Sequence, residues 1–261
     1  MVDVHAVMIF RSWLLSFCCF TVVVVAKRMP YEFITERTNS YTLPPLPYDY
    51  KDLEPFIDEA TVRVHHTGHH AAYTKKMNAA IQEWESEAKV TESAMIFELL
   101  HRLEDVPDKY RVAIQNNGGG YVNHNLYWSV MSPNPNSDER EPTGQIGIDI
   151  DEDFGNFSNF KDLFTKEALS LFGSGYVWLC RDVNQNRKLI ISKTANQDSP
   201  LQDGFQLPIL VIDIWEHAYY IKHQNRRPQH VSDWWKLVDW TAVEELDEWW
   251  KKQNIKYHDE L

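Results

Sequence analysis

Residues 62–73, VRVHHTGHHAAY, decide the fold of the N-terminal half, because they place four of the chain's 11 histidines inside a helical pattern. The apolar periodicity begins near Leu53 and continues to about Glu87, which predicts one long helix. Three side chains fall at i, i+4 and i+8, so they should share one face of that helix: His65, His69 and Tyr73.

Two further helices are predicted in the first half of the chain. One covers about 93–103, and the other runs from Pro107 through a glycine turn at 116–124, NNGGGYVNH, to Met131. Two long helices joined by a short connection predict a helical hairpin over 41–131.

The second half has a mixed pattern. A polar, proline-containing stretch at 132–145 is predicted to link two lobes. An amphipathic helix follows and ends at Gly173, after which come three strand-like runs and a helical C-terminal part. The runs are GYVWLCRDV (175–183), KLIISKT (188–194) and LPILVIDIW (207–215). The predicted class is therefore α+β: an N-terminal long helical hairpin, and a C-terminal lobe (146–257) with about three antiparallel strands flanked by helices.

Four side chains in aromatic-rich segments form a candidate metal site. They come from 62–73, from NNGGGYVNHNLYW (116–128) and from DIWEHAYY (213–220), and they are His65, His124, Asp213 and His217. A lone histidine is usually a core or surface group, but four such groups together favour a metal. Three imidazoles and one carboxylate without thiolate suit manganese or iron better than calcium or structural zinc.

The two ends carry targeting signals. An apolar run follows Arg11 and ends at Ala26, which predicts a signal peptide over 1–26 and a leader segment over 27–40. A membrane anchor and a mitochondrial transit peptide are the poorer alternatives, because the run is short and Asp3 is acidic. The final residues 258–261, HDEL, predict retrieval by an HDEL receptor to the lumen of the endoplasmic reticulum, with secretion if retrieval is leaky.

Cysteines, charge and one short motif add three expectations. With Cys18 and Cys19 in the signal peptide, Cys180 remains as a buried core thiol without a disulfide partner. Asn156-Phe157-Ser158 is a possible glycosylation site. A formal net charge of −12 disfavours nucleic-acid partners and anionic membranes, and the mature chain is expected to have no membrane span.

Six ordered blocks resemble the iron/manganese superoxide dismutases over about 41–257. They are LPPLPYDYKDLEPFID, HHTGHHAAY, NNGGGYVNHNLYW, DFGNFSNFKDLF with FGSGYVWL, TANQDSPL and DIWEHAYYIKHQNRRP. The resemblance implies dismutation of superoxide anion at a redox-cycling metal. It assigns the ligand role to the same four residues: His65, His124, Asp213 and His217.

The resemblance also assigns roles around the metal. Gln197 and Tyr73 would tune the site and supply protons, and His69 would be a gateway residue. An aromatic wall is expected from Trp128, Trp178, Trp215 and Tyr176, the last of these standing where the family has tryptophan. Glu216 and Tyr220 would reach a second subunit in a homodimer or homotetramer, and Arg227 is the candidate for steering superoxide.

The metal and the activity leave alternatives. In this family a glutamine in the NNGGG turn is typical of iron enzymes and one in the TANQD segment is typical of manganese enzymes. The turn here has Gly119 and Gly120 and the TANQD segment has Gln197, which favours one manganese per subunit, with iron possible. A dismutase-fold binding or structural protein with weak or no turnover is the alternative function, supported by Tyr176. A non-haem iron oxygenase would use two histidines and one carboxylate, which the third histidine disfavours.

Overall fold

The computed structural model describes residues 28–89 and 92–253. The predicted signal peptide and the HDEL sequence lie outside the described residues. Within the described ranges, no helix combines the length and the apolarity that a membrane span requires.

A long helical hairpin forms the N-terminal lobe, as the sequence predicted. Its first arm is continuous: α1 (Glu59–Val64) passes into a π-helix (His65–His70) and then into α2 (Ala71–Ala88). The second arm is α4 (Asp108–Ser129), which packs along α2. A short helix, α3 (Ile96–His101), connects them and lies against α4.

The first arm begins later than the predicted Leu53, because residues 50–56 form turns. Pro55 accounts for the difference, since a proline disfavours helical backbone at the residue before it. The apolar side chains of this turn are nevertheless in the core: Leu53, Phe56 and Ile57 are buried.

The glycine turn predicted at 116–124 is wrong, because these residues lie inside α4. Glycine is a poor helix former, and the sequence alone therefore suggested a break. In the fold, Gly119 and Gly120 face the turn that carries Gln197 and the ring of Tyr73, at distances that leave no room for a side chain.

The C-terminal lobe contains the predicted three-stranded antiparallel sheet. Its strands are β1 (Gly175–Asp182), β2 (Lys188–Ala195) and β3 (Gln206–Asp213), in the order β2-β1-β3. Tyr176 of the central strand pairs with Thr194 on one side and with Asp213 on the other. The last residue of β3 is therefore a predicted metal ligand.

Five helices flank this sheet in the chain. They are α5 (Gly144–Phe154), α6 (Phe157–Ser170), α7 (Tyr220–His223), α8 (Arg227–Trp235) and α9 (Trp240–Lys252). Arg181 of β1 is buried and pairs with Asp149 of α5 and Asp247 of α9. Removing one member of such a buried group leaves an uncompensated charge, so the three residues hold both helices to the sheet.

The N-terminal residues contribute an element that the sequence pattern did not indicate. Pro30–Thr35 form a 3₁₀ helix that packs on α4. Tyr31 and Ile34 are buried, and the Tyr31 ring lies 5.1 Å from that of Trp249 on α9. The segment thus contacts both lobes.

Candidate metal centre

Four predicted ligand side chains converge between the two lobes. One potential ligand atom from each of His65, His124, Asp213 and His217 lies within 4.8 Å of the others. His65 begins the π-helix and His124 lies on α4, whereas Asp213 ends β3 and His217 lies in a 3₁₀ turn, Glu216–Ala218. Each lobe therefore supplies two of the four groups.

Asp213 lies at the middle of the cluster. Its Oδ2 atom is 3.1 Å from His217 Nε2, 3.3 Å from His65 Nε2 and 3.9 Å from His124 Nε2. His65, His124 and Asp213 are buried, and His217 is nearly so. Three nitrogens around one carboxylate oxygen form a compact donor set.

The protonation states of the cluster suit metal binding. Burial lowers the pKa of His65 to about 3, with the nearby His217 adding to the effect and Asp213 opposing it. Burial likewise holds the pKa of His124 well below its usual range. Burial alone would raise the pKa of Asp213, but the neighbouring imidazoles of His217 and His65 outweigh it, so its pKa is lowered. A neutral imidazole has one unprotonated nitrogen, whose lone pair can bind a metal ion beside the carboxylate.

Two unpartnered nitrogens test whether a metal fits here. The Nε2 atoms of His65 and His124 are buried and have no hydrogen-bond partner among the described residues. The other nitrogen of His124, Nδ1, donates to the carbonyl of Gly120 at 2.6 Å, which directs the Nε2 lone pair to Asp213. Buried polar atoms without partners are costly, and a coordinated cation would satisfy both. The residues present therefore fit a mid-row transition ion.

The histidine block is a π-helix rather than the predicted α-helix. A π-helix has a wider turn and occurs often at functional sites. His69 is half-buried and stacks on His217, with ring centroids 4.3 Å apart. His66 and His70 are both buried, and the ring of His70 stacks on His124 at 5.2 Å.

A hydrogen-bonded chain lies beside the ligands. Tyr176 donates its hydroxyl to Gln197 Oε1 at 2.9 Å, and Gln197 Nε2 donates to the Tyr73 hydroxyl at 3.0 Å. Tyr176 and Gln197 are buried, whereas Tyr73 is partly exposed. Burial raises the pKa of both phenols, so each hydroxyl keeps its proton.

The three predicted tryptophans enclose the cluster. Trp128 lies against His65, at 4.6 Å between ring centroids, and Trp215 stacks on His217 at 5.3 Å. Trp178 is fully buried and lies beside Tyr176. These apolar faces limit the access of water to the ligand atoms.

The remaining predicted residues lie farther out. Glu216 and Tyr220 are exposed, consistent with availability to another molecule. The Arg227 guanidinium donates to the carbonyls of Leu171 and Gly173, so it holds that turn. Asn156 is exposed at the start of α6.

His230 contacts the cluster in a way that the sequence did not indicate. Its Nε2 atom donates to the backbone carbonyl of Asp213 at 2.9 Å, and the ring is fully buried against Tyr219. Burial lowers the pKa of His230 to about 4. The two residues are 17 positions apart, and no local pattern links them.

Comparison with protein families agrees with this architecture. Models of the iron/manganese superoxide dismutases match residues 40–132 for the alpha-hairpin domain and residues 142–246 for the C-terminal domain. The chain belongs to the iron/manganese superoxide dismutases. The resemblance seen in the sequence blocks is thereby confirmed.

Individual members of the family are similar over most of their length. Superoxide dismutase [Mn] 2 of Bacillus anthracis is 46% identical over 207 residues, covering 79% of this chain and 94% of that protein. Superoxide dismutase [Mn] of Pseudomonas aeruginosa is 45% identical over 203 residues (78% and 95%). Superoxide dismutase [Mn/Fe] of Methylomonas sp. is 44% identical over 204 residues (78% and 96%). The part of the chain before the family match includes the 3₁₀ helix Pro30–Thr35.

Proposed function

We propose that this chain is a manganese-dependent superoxide dismutase, converting two superoxide anions and two protons into dioxygen and hydrogen peroxide. The observation that carries the proposal is the convergence of three imidazoles on one carboxylate, with two unpartnered nitrogens. Family membership and the names of the relatives support the same activity.

The metal would be held by His65, His124, Asp213 and His217. A bound manganese ion would supply a one-electron couple between +3 and +2, able to accept an electron from one superoxide and return it to the next. The single buried carboxylate gives the site one negative charge, which favours a cation and leaves moderate electron donation.

The surrounding residues position small molecules and protons. Gln197 is fixed at both ends of its amide, by Tyr176 and by Tyr73, so its orientation toward the cluster is set before substrate arrives. Tyr73 keeps its proton and is partly exposed, which suits a hydroxyl that donates a proton to a departing peroxide and recovers it from solvent. His69 stacks on His217, so it borders the route by which small molecules would reach the ligands.

The segment that supplies the glutamine beside the ligands favours manganese over iron. Gln197 belongs to the turn after β2, and its backbone carbonyl fills the space over Gly119. The Tyr73 ring fills the space over Gly120, within 2.6 Å of where a Cβ would be. A glutamine from this part of α4, the arrangement typical of the iron enzymes, has no room unless these groups move. The relatives with manganese in their names agree with this choice.

We also propose a lumenal homodimer. The predicted signal peptide and HDEL sequence support the endoplasmic reticulum as its compartment. Glu216 and Tyr220 support a dimer seam next to the metal: Glu216 is adjacent to the ligand His217, and Tyr220 keeps 49% of its surface exposed in the single chain. Sedimentation of the metal-loaded protein tests the dimer, which is contradicted by a monomer at micromolar concentration.

The activity is tested by loading the purified chain with manganese or with iron and following superoxide decay. Asp213→Asn should lose both metal and activity, because it removes the central negative charge of the donor set. Asp162→Asn, on the exposed face of α6, is the matched control and should keep both. A manganese-loaded wild type that does not accelerate decay would contradict the proposal. Metal binding without turnover would favour the alternative, a dismutase-fold binding protein, for which Tyr176 in place of tryptophan is the supporting observation.

A further inference from the structure

The sequence Asn156-Phe157-Ser158 is the one Asn-X-Ser/Thr triplet in the 261 residues, and the dismutase chemistry does not use it. The triplet opens α6, on the side of the C-terminal lobe where α5 ends at Gly155. Asn156 and Ser158 are both exposed. A triplet of this kind accepts N-linked carbohydrate when its chain enters the secretory route.

We propose that Asn156 carries an N-linked oligosaccharide, added while the chain enters the reticulum and retained on the folded enzyme. In this reaction the Nδ2 nitrogen of Asn156 forms a bond to the anomeric carbon of a sugar. The bond between that carbon and a polyprenyl diphosphate breaks, the diphosphate leaves, and one Nδ2 proton is released. The inference rests on the lumenal location proposed above.

The two ends of the Asn156 amide have separate tasks in the fold. The side-chain oxygen accepts a hydrogen bond from the backbone N–H of Asn159 at 2.8 Å, which caps α6. The nitrogen, Nδ2, has no hydrogen-bond partner within 28–89 and 92–253. An N-glycosidic bond uses only the nitrogen, so the modified residue keeps the oxygen that caps the helix.

The surroundings of Asn156 leave room for carbohydrate. Asn156 lines an open groove of about 670 Å³ between the start of α5 and the start of α6. Ile148 on one wall is 53% exposed, and Phe157 on the other is partly exposed. A sugar attached at Nδ2 therefore meets an open surface groove with polar and apolar lining residues, and it displaces no core residue.

The timing of the transfer follows from the helix. In the fold Asn156 is extended, with φ −174° and ψ 164°, but Phe157 and Ser158 already lie in the first turn of α6. The transferase must recognise the asparagine together with the serine two residues later, which the unfolded chain presents freely. Transfer therefore precedes the folding of α6, and the structure needs only to tolerate the product.

Aspartate at position 156 gives a matched control. Asp caps a helix as well as Asn does, but it offers no acceptor nitrogen. An amidase that cleaves the sugar–asparagine linkage also leaves aspartate, so amidase-treated wild type and Asn156→Asp have the same covalent structure. Ser158→Thr keeps the triplet and Ser158→Ala removes it.

The test is expression of the full chain in a eukaryotic secretory system, once with its own leader and once with a substitute cleavable leader placed before Lys27. Purified protein is treated with peptide-N-glycosidase or endoglycosidase H and weighed by intact-mass spectrometry. We expect the mass of one glycan on wild type and Ser158→Thr, and none on Asn156→Asp and Ser158→Ala. Sensitivity to endoglycosidase H is expected because retrieved proteins keep high-mannose chains.

The two leaders distinguish a failure of glycosylation at Asn156 from a failure of the proposed lumenal location. Lumenal protein made with the substitute leader and free of carbohydrate at Asn156 would overturn the inference. Carbohydrate with the substitute leader and none with the chain's own leader would support the acceptor and overturn the proposed location. Superoxide decay is measured on the same samples, and the manganese-loaded Asn156→Asp protein should match wild type in activity and in melting temperature after deglycosylation.

Discussion

Replacing Gly119 with alanine would test how the helical hairpin holds Gln197 beside the metal centre. A Cβ atom on Gly119 lies 2.0 Å from the backbone oxygen of Gln197, far inside any normal contact. The obstacle is backbone rather than the tip of a flexible side chain, so the turn that carries Gln197 must move away from α4. The Gln197 amide, which holds Tyr73, would move with it.

The size of the effect follows from three contributions. Overpacking a well-filled interior costs about 1–3 kcal/mol. The same turn accepts two hydrogen bonds from Asn123 Nδ2, at the backbone oxygens of Gln197 (3.1 Å) and Asp198 (3.2 Å), and leaving that buried amide without a partner costs about 1–3 kcal/mol. Alanine is a better helix former than glycine by about 1 kcal/mol, which offsets part of the loss. The expected loss of unfolding free energy is about 3 kcal/mol.

Urea denaturation of the manganese-loaded protein measures this loss, and superoxide decay measures the displacement of Gln197. Gly68→Ala is the control, because its Cβ meets only Val64 Cγ1 at an ordinary 3.8 Å. Gly118→Ala is a second control on α4 itself, where the nearest atom is the terminal Cδ1 of the Ile96 side chain at 2.7 Å rather than backbone. The metal content of all three variants should match wild type. A Gly119→Ala protein with the urea midpoint and activity of Gly68→Ala would show that the Gln197 turn is not displaced.

Four other perturbations have defined outcomes. Tyr176→Phe leaves the buried Gln197 Oε1 without its donor, so urea titration should show a loss of about 1–3 kcal/mol together with slower superoxide decay. Deleting residues 28–40 removes the buried side chains of Tyr31 and Ile34. The free energy of unfolding should fall by about 3 kcal/mol or more, since one buried large apolar side chain contributes about 1.5–3 kcal/mol. An unchanged melting temperature would show that the segment is dispensable. Manganese at 100 times its Kd should stabilise the apoprotein by about 2.7 kcal/mol and leave Asp213→Ala unshifted in the same urea assay. Cys180 is fully buried and burial raises its pKa, so a thiol reagent should label it only in denaturant, and rapid labelling of native protein would contradict the fold.

Much of the fold could be predicted from the sequence because its signals are local. The three strands are continuous apolar runs with polar ends, and each was placed within about two residues of its observed bounds. Cys180 lies inside the buried central strand, as expected. The four candidate ligands could be named because each belongs to a distinctive short block, and the structure brings their ligand atoms together.

The features that sequence did not reveal depend on tertiary contacts. Gly119 and Gly120 look like a turn until the backbone of Gln197 and the ring of Tyr73 are seen to occupy the space over them. The sequence pattern of residues 65–70 does not distinguish a π-helix from an α-helix. His230 reaches Asp213 through the packing of α8 on the end of β3, and Tyr31 finds its partners on α4 and α9.

We propose that one manganese ion, held by His65, His124, Asp213 and His217, carries the dismutation of superoxide. Titrating apoprotein with manganese while following both bound metal and the rate of superoxide decay tests it most directly. The rate is expected to rise linearly and to stop rising at one manganese per chain, with no rise for Asp213→Asn. A rate that stays at the uncatalysed level when one manganese is bound, or a rise of equal size in Asp213→Asn, would contradict it.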